Sequence, residues 1–203
     1  MFPIKRSVLS YFLEPQSSQS NTHTPSLPSN TIDITSKKEV PSEPAKRYMD
    51  IFCDGACSRN GKRFAKAGFG LHVRLDGATL SEVSEPLNRE EPQTNQRAEL
   101  RALERALEYA IEAPEDVHVR IYTDSEYGID CITKWAFDWR RRGWIKSDGK
   151  EVQHKDVIAD SFRHWLSVNG RTTIEHVRAH TNKSDWKSLG NKRADELAVA
   201  SIK

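Results

Sequence analysis

Apolar and polar positions alternate along residues 47–203 with two periods, and the change from one to the other marks the elements. "RYMDIFCD" reads as a first strand that ends on a bare carboxylate, Asp54, followed only by the small residues Gly55 and Ala56. "SRNGKRF" is a turn centred on Asn60-Gly61. "GFGLHVRL" and "LSEVSEPL" are two further strands joined across Asp76-Gly77, a strong hairpin signal. The period then changes. In "TNQRAELRALERALEYAIEA", Leu100, Leu103, Leu107, Ala110 and Ile111 fall at helical spacing, and Thr94 can cap the start. "VHVRIYTD" alternates again, with Val117, Val119 and Ile121 on one side and Arg120, Tyr122 and Asp124 on the other. "SEYGIDCITKWAFDW" and "KDVIADSFRHWLSV" follow as helices, "RTTIEHVRAH" as the last strand and "GNKRADELAVASIK" as the last helix. Strands interleaved with helices in this way predict an α/β fold with a mixed sheet.

Residues 1–46 carry neither period. Ser, Pro, Thr and Asn dominate, and large apolar side chains are nearly absent, so the segment cannot offset its own ordering entropy and is expected to be a disordered tail. Its first residues differ. "KRSVLSYFLEP" resembles a sliding-clamp-binding peptide over residues 5–12, with Val8, Tyr11 and Phe12 as apolar anchors and Lys5 where that motif usually has Gln. The basic Lys5 and Arg6 among serines also fit a mitochondrial presequence, and a tail without a role is the third reading.

Charge changes the picture only locally. There are 31 Lys and Arg against 29 Asp and Glu, a net charge of +2, so a surface for a polyanion has to be concentrated in one place. "KWAFDWRRRGWIKSDGK" is such a place: Lys134, Arg140, Arg141, Arg142, Lys146 and Lys150 outnumber Asp138 and Asp148, with Trp135, Trp139 and Trp144 interleaved. Basic charge holds phosphates without reading sequence. The plainer reading is a solvated helix over a buried aromatic stripe. The three cysteines, Cys53, Cys57 and Cys131, are odd in number and lack zinc spacing. They read as packing thiols of a reducing compartment, cytoplasm or nucleus. No apolar run approaches a membrane span.

The acids carry the chemistry. Asp54 and Asp124 each end a strand; Glu99 lies in the first turns of the long helix, and Asp195 lies early in the last one. Each alone has an ordinary explanation: a turn cap for Asp54, a pair with Arg97 or Arg101 for Glu99, a pair with Lys192 for Asp195. Together they sit where core-facing periodicity meets solvent. Like charges brought to one point need cations, and oxygen-only ligands suit Mg²⁺ or Mn²⁺ rather than zinc. Two such ions are the usual device for phosphodiester hydrolysis.

In order along the chain, "DGACSRNG", "TNQRAEL", "YTDSEY", "ITKWAFDWRRRGWIKSDGKEV", "HVRAHT" and "GNKRADELA" resemble type 1 ribonuclease H, an RNA–DNA hybrid endonuclease. The resemblance covers about residues 48–202. It implies a ribonuclease H-like α/β fold: a five-stranded mixed sheet flanked by helices, ordered β-β-β-α-β-α-α-α-β-α, with residues 47–203 as the catalytic domain. It implies a two-metal-ion mechanism, with two Mg²⁺ ions that Mn²⁺ can replace, giving 5′-phosphate and 3′-hydroxyl ends. Asp54, Glu99, Asp124 and Asp195 match the metal-binding acids, and His180 matches the mobile histidine near the scissile phosphate. Cys57, Asn60, Asn95 and Gln96 match contacts to the RNA strand, where the 2′-hydroxyl distinguishes RNA from DNA. Thr94, Tyr127, Trp135 and Trp139 match contacts to the DNA strand, and Lys134, Arg140, Arg141, Arg142 and Lys146 fall in the family's basic protrusion. The expected partner is an RNA–DNA hybrid bound by a monomer, with a sliding clamp as a second partner through the tail, and no membrane.

The match departs in three places. At the DNA-phosphate site Pro92 and His154 stand where the cellular eukaryotic enzymes have Arg and Asn, leaving Thr94 and a reach from Arg89. The segment "HTNKSDWKSLGNKRAD" is longer than usual and carries Trp186, in position to touch substrate or to alter the swing of His180. The N-terminal hybrid-binding domain of many eukaryotic members is missing. Three alternatives stand beside the main reading: a non-catalytic hybrid-binding module, an integrase- or resolvase-type nuclease on the same fold, and a detached ribonuclease H domain of a reverse transcriptase, some of which lack the basic protrusion. Primer removal, R-loop clearance and viral replication are all compatible with the main reading.

Overall fold

A computed structural model of the chain describes residues 46–178 and 184–203. The tail anchors Val8, Tyr11 and Phe12, and His180, lie outside these described residues.

Five strands form one sheet: β1 (Arg47–Ser58), β2 (Lys66–Leu75), β3 (Ala78–Pro86), β4 (Val117–Thr123) and β5 (Thr172–His176), ordered β3-β2-β1-β4-β5. The first three are an antiparallel meander, and β4 and β5 add in parallel on the other side of β1. Asp76 and Gly77 both take left-handed backbone, as the two-residue hairpin requires. β1 is therefore central, and its two faces are covered by different helices.

The first helix, α1 (Asn95–Glu112), packs on one face. Met49, Ile51 and Cys53 of β1, Leu71 and Val73 of β2, and Val119 and Ile121 of β4 meet Leu103, Ala106 and Leu107 of α1 there. Thr94 caps α1 as expected: its hydroxyl accepts the Arg97 N–H at 3.2 Å. At the other end Arg171 donates to the carbonyls of Ala110 and Ala113, satisfying acceptors the helix leaves open. Ile111, expected in the apolar stripe, is 43% exposed: in its turn of α1 and the cap that follows, the core-facing positions are Tyr109, Ala110 and Ala113, and Ile111 lies on the outer side.

The expected single helix over 125–139 is three pieces. α2 (Glu126–Asp130) passes into a π-helical turn (Cys131–Trp135) and then α3 (Ala136–Arg141). α4 (Lys155–Val168) matches the expected segment and packs against α1. Among the described residues, no helix is long and apolar enough to cross a membrane.

The last helix, α5 (Trp186–Ser201), covers the opposite face of the sheet. It starts four residues before the expected Gly190, because Asp185 caps it through the N–H groups of Lys187 and Ser188. Trp186 is thus the first residue of a helix rather than part of a loop. Its ring stands edge-on to Phe52 at 5.9 Å and to Tyr122 at 5.5 Å, so it caps the end of the second core while keeping an exposed side. Truncation to Ala is expected to cost about 2 kcal/mol, less than for a fully buried aromatic because the ring keeps an exposed edge. A urea titration checks this; an unchanged midpoint would remove Trp186 from the core.

Candidate active site

β1 and β4 place two carboxylates side by side. Phe52 and Tyr122 are the last paired positions of these parallel strands, and their rings stack at 4.9 Å on the α5 face. Two residues further along each chain, on the same face by the period of the pleat, come Asp54 and Asp124. Asp54 is only 8% exposed. One of its oxygens accepts the Gly55 N–H at 2.8 Å, and among the described residues it has no cationic partner. Burial, and next the charge of Asp124, push its carboxyl up to about 8; Asp195 and Glu99 add to this, and the Gly55 hydrogen bond opposes it.

Glu99 arrives from α1. A Cβ on Gly55 would stand 2.3 Å from the Glu99 nitrogen and 2.5 Å from the Ala98 carbonyl carbon, so only glycine lets the helix backbone lie directly on the strand next to Asp54. The Glu99 carboxylate accepts Asn95 Nδ2 and the Ser125 hydroxyl, each at 2.6 Å. Burial raises its pKa, and the Ser125 hydrogen bond opposes that rise. Asp195 arrives from α5. A Cβ on Gly70, the β2 partner of Asp54, would meet Ala194 O at 2.5 Å and Ala198 N at 2.4 Å, so α5 also rests backbone to backbone on the sheet.

The ordinary pairings for these acids do not form. Arg97 turns to Glu91 and, through both terminal nitrogens, to Asp156 at 2.6 and 2.5 Å. Arg101 pairs with Glu91 and Glu104. Among the described residues neither Glu99 nor Asp195 has an ion pair, and no three His, Cys, Asp or Glu side chains are drawn together closely enough to hold a metal ion. The acids are near enough to load Asp54 with unfavourable charge while Glu99 is held back by Asn95 and Ser125. A buried carboxylate without a cation, facing an all-oxygen donor set, fits a hard divalent ion.

The expected RNA-strand residues are stitched together. The Asn60 side chain accepts the Asn95 N–H at 3.3 Å, joining the turn after β1 to the start of α1. The Cys57 thiol donates to the Gln93 carbonyl at 3.4 Å, and Gln96 is exposed beside them. The Tyr127, Trp135 and Trp139 rings form a chain, with centroids 6.1 and 5.6 Å apart. The protrusion is less positive than its sequence: Lys134 pairs with Asp130, Arg141 with Asp138 and Lys146 with Asp148. Among the described residues, Arg140 and Arg142 are left without an ion pair. Pro92 and His154 line one cleft with Glu90, Glu91 and Asp156 and with Arg97 and Arg101, whose charges are already taken up by carboxylates. Arg89 does not reach that cleft; it lines another groove with Lys66 and Gln93.

Two nearby groups escaped the sequence reading. Ser125 is the N-cap of α2, accepting the Gly128 N–H, and its hydroxyl proton goes to Glu99. A serine directly after a strand-end aspartate and before a helix was the available signal. His176 Nε2 lies 3.2 Å from the Asp124 carbonyl oxygen, a contact set by β5 pairing that no local pattern announces.

The RNase H family model matches residues 46–203. Ribonuclease H of Erythrobacter litoralis is 35% identical over 152 residues, covering 75% of this chain and 94% of that protein. The solution structure of the PFV RNase H domain superposes with a TM-score of 0.64 at 25% identity, covering 77% of this chain and 95% of that one. LC11-RNase H1, solved in complex with an RNA/DNA hybrid, superposes with a TM-score of 0.51 at 25% identity, covering 76% of this chain and 96% of that one. With its five-stranded mixed sheet and a match spanning every described strand and helix, the chain belongs to the ribonuclease H family, as a nuclease of type 1.

Proposed function

We propose that the chain hydrolyses the RNA strand of RNA–DNA hybrids, leaving 5′-phosphate and 3′-hydroxyl ends. The observation that carries this reading is Asp54: a nearly buried carboxylate, paired with no cation among the described residues, beside Asp124 at the ends of two parallel strands. The hybrid-bound LC11-RNase H1 supports the substrate. Asp54, Glu99, Asp124 and Asp195 would hold two divalent ions, Mg²⁺ with Mn²⁺ as substitute. Bound there, such ions neutralise charge developing on the phosphate and make a bound water more acidic.

The chain's own residues do the rest. Asp54 and Asp124 are fixed by the sheet, so they lose little freedom on receiving charge. Asn95 and Ser125 aim Glu99 and limit its swing. Cys57, Asn60, Asn95 and Gln96 present polar groups to one strand, where a 2′-hydroxyl can be tested. The rings of Tyr127, Trp135 and Trp139 give the other strand an apolar wall that favours deoxyribose. In the net reaction a water oxygen bonds to phosphorus, the bond to the 3′-oxygen breaks, and a proton passes to that oxygen.

The test presents one labelled RNA strand in a hybrid, in an RNA duplex and alone, with and without Mg²⁺, to the wild type and to Asp124→Asn. Cutting only in the hybrid, with Mg²⁺ and by wild type is expected. Binding without cutting would instead make the chain a hybrid-binding module, and cutting of plain duplex DNA would place it among the integrase- or resolvase-type nucleases.

A further inference from the structure

Besides the basic protrusion the chain carries a second positive surface, which the proposed function does not use. "RNGKRFAK", residues 59–66, is the connection from β1 to β2 with the first residue of β2, and it holds Arg59, Lys62, Arg63 and Lys66 with no acid among them. All four are exposed, and among the described residues none makes an ion pair. That contrasts with the protrusion, where three of the named cations already have carboxylate partners. Lys66 continues into a groove of about 710 Å³ that it lines with Arg89 and Gln93, and no acidic side chain lines it. At the tip stands Phe64, 72% exposed with φ +63°, the Arg63 guanidinium lying 4.9 Å over its ring.

A left-handed, solvent-exposed phenylalanine stores no packing energy, and five unpaired cations repel one another. Both features suit a ligand that is a line of negative charges with flat rings attached. The surface is also continuous with the residues assigned to the RNA strand. Asn60 belongs to the same turn, and Gln93 in the groove accepts the Ala67 N–H at 2.8 Å and takes the Cys57 thiol on its carbonyl.

We propose that Arg59, Lys62, Arg63, Lys66 and Arg89 bind the phosphates of the RNA strand where it runs on past the cleavage site, with Phe64 stacking on one of its bases. This rests on the hybrid-cleaving reading and adds to it a preference: a hybrid whose RNA strand extends as a single-stranded tail is held more tightly than a blunt one. The unpaired cations supply salt-dependent affinity, and the ring supplies a salt-independent part.

The experiment uses the full chain carrying Asp124→Asn, so that bound substrate is not consumed. Hybrids that are blunt, RNA-tailed or DNA-tailed are titrated over a range of salt. Combined Lys62→Gln, Arg63→Gln and Lys66→Gln is expected to weaken the RNA-tailed hybrid about tenfold and to flatten its log affinity against log salt by about two, near 0.7 per lost phosphate contact. Blunt and DNA-tailed hybrids should change much less. Phe64→Ala is expected to weaken the RNA-tailed hybrid about tenfold with the salt slope unchanged. Combined Lys62→Arg and Lys66→Arg should keep the wild-type slope, and Arg163→Gln with Arg193→Gln, at two cations that are already paired, controls for net charge. Equal losses on all three hybrids, or an unchanged slope, would overturn the proposal. Failure of the Asp124-intact protein to cut any hybrid would sink the parent reading alone, because tail binding is measured without turnover.

Discussion

In chelator at neutral pH, Asp54→Asn unfolds at a higher temperature than wild type, by about 5–10 °C, and cuts no hybrid when Mg²⁺ is restored. The reason is the isolated charge. In the unfolded chain Asp54 titrates near the ordinary value of about 3.9, whereas burial and its acidic neighbours raise it to about 8 in the fold. Between those values the folded state binds more protons than the unfolded state, so stability falls as pH rises. Below about pH 4 both states are protonated and the penalty is absent. Asn keeps the shape without the charge and relieves a cost of order 3 kcal/mol, which for a chain of this size is several degrees. The check is a set of melting curves from pH 4 to 8. Wild type should lose stability toward alkaline pH while Asp54→Asn stays flatter, and Mg²⁺ should stabilise wild type only. Equal melting temperatures across that range would mean that Asp54 already has a partner.

Gly55→Ala acts one residue away with the opposite sign. The new Cβ meets backbone atoms of Ala98 and Glu99, which no rotamer change can move. α1 has to lift from β1, taking Leu103 and Leu107 partly out of the core. The cost is about 3 kcal/mol, at the upper end for overpacking, or roughly 10 °C in Tm. Glu99 moves with the helix, so cleavage should fall even below the melting transition. Activity at 15 °C compared with the urea midpoint separates the two effects: a stable but slow variant reports displacement of Glu99, and a stable, fully active one would show that the contact is loose.

The positions of Asp54 and Asp124 at strand ends and of Glu99 in the first turns of α1 were legible because each stands near the edge of a period, a local property of sequence; Asp195, expected early in the last helix, lies past the middle of α5 because that helix starts at Trp186. The hairpin at Asp76-Gly77 and the Thr94 cap were legible for the same reason: one or two residues determine the geometry. What stayed hidden depends on contacts between distant segments. Arg97 could have paired with Glu99, two residues away, and chooses Asp156 across the α1–α4 contact. Trp186 reads as a loop residue because the stretch around it is polar, and only the stacked Phe52 and Tyr122 beneath it make it part of a core. Lys134, Arg141 and Lys146 are a different case: their partners Asp130, Asp138 and Asp148 stand four, three and two residues away, so these pairs lay within reach of a local reading that counted only charge.

The π-helical turn at Cys131–Trp135 has a consequence for how the family can vary here. A π turn holds one residue more than the α turn it replaces. Deleting one residue from this segment would let α2 and α3 fuse into a single regular helix. Everything beyond it would then rotate by about 100° and shift by about 1.5 Å along the axis. Trp139 and the arginines at 140–142 would swing away from the line that now continues from Tyr127 and Trp135. The aim of the protrusion is therefore a digital setting, one residue deep, and a single-codon deletion or insertion in this seam would redirect it in one step, while point substitutions can only change what it carries.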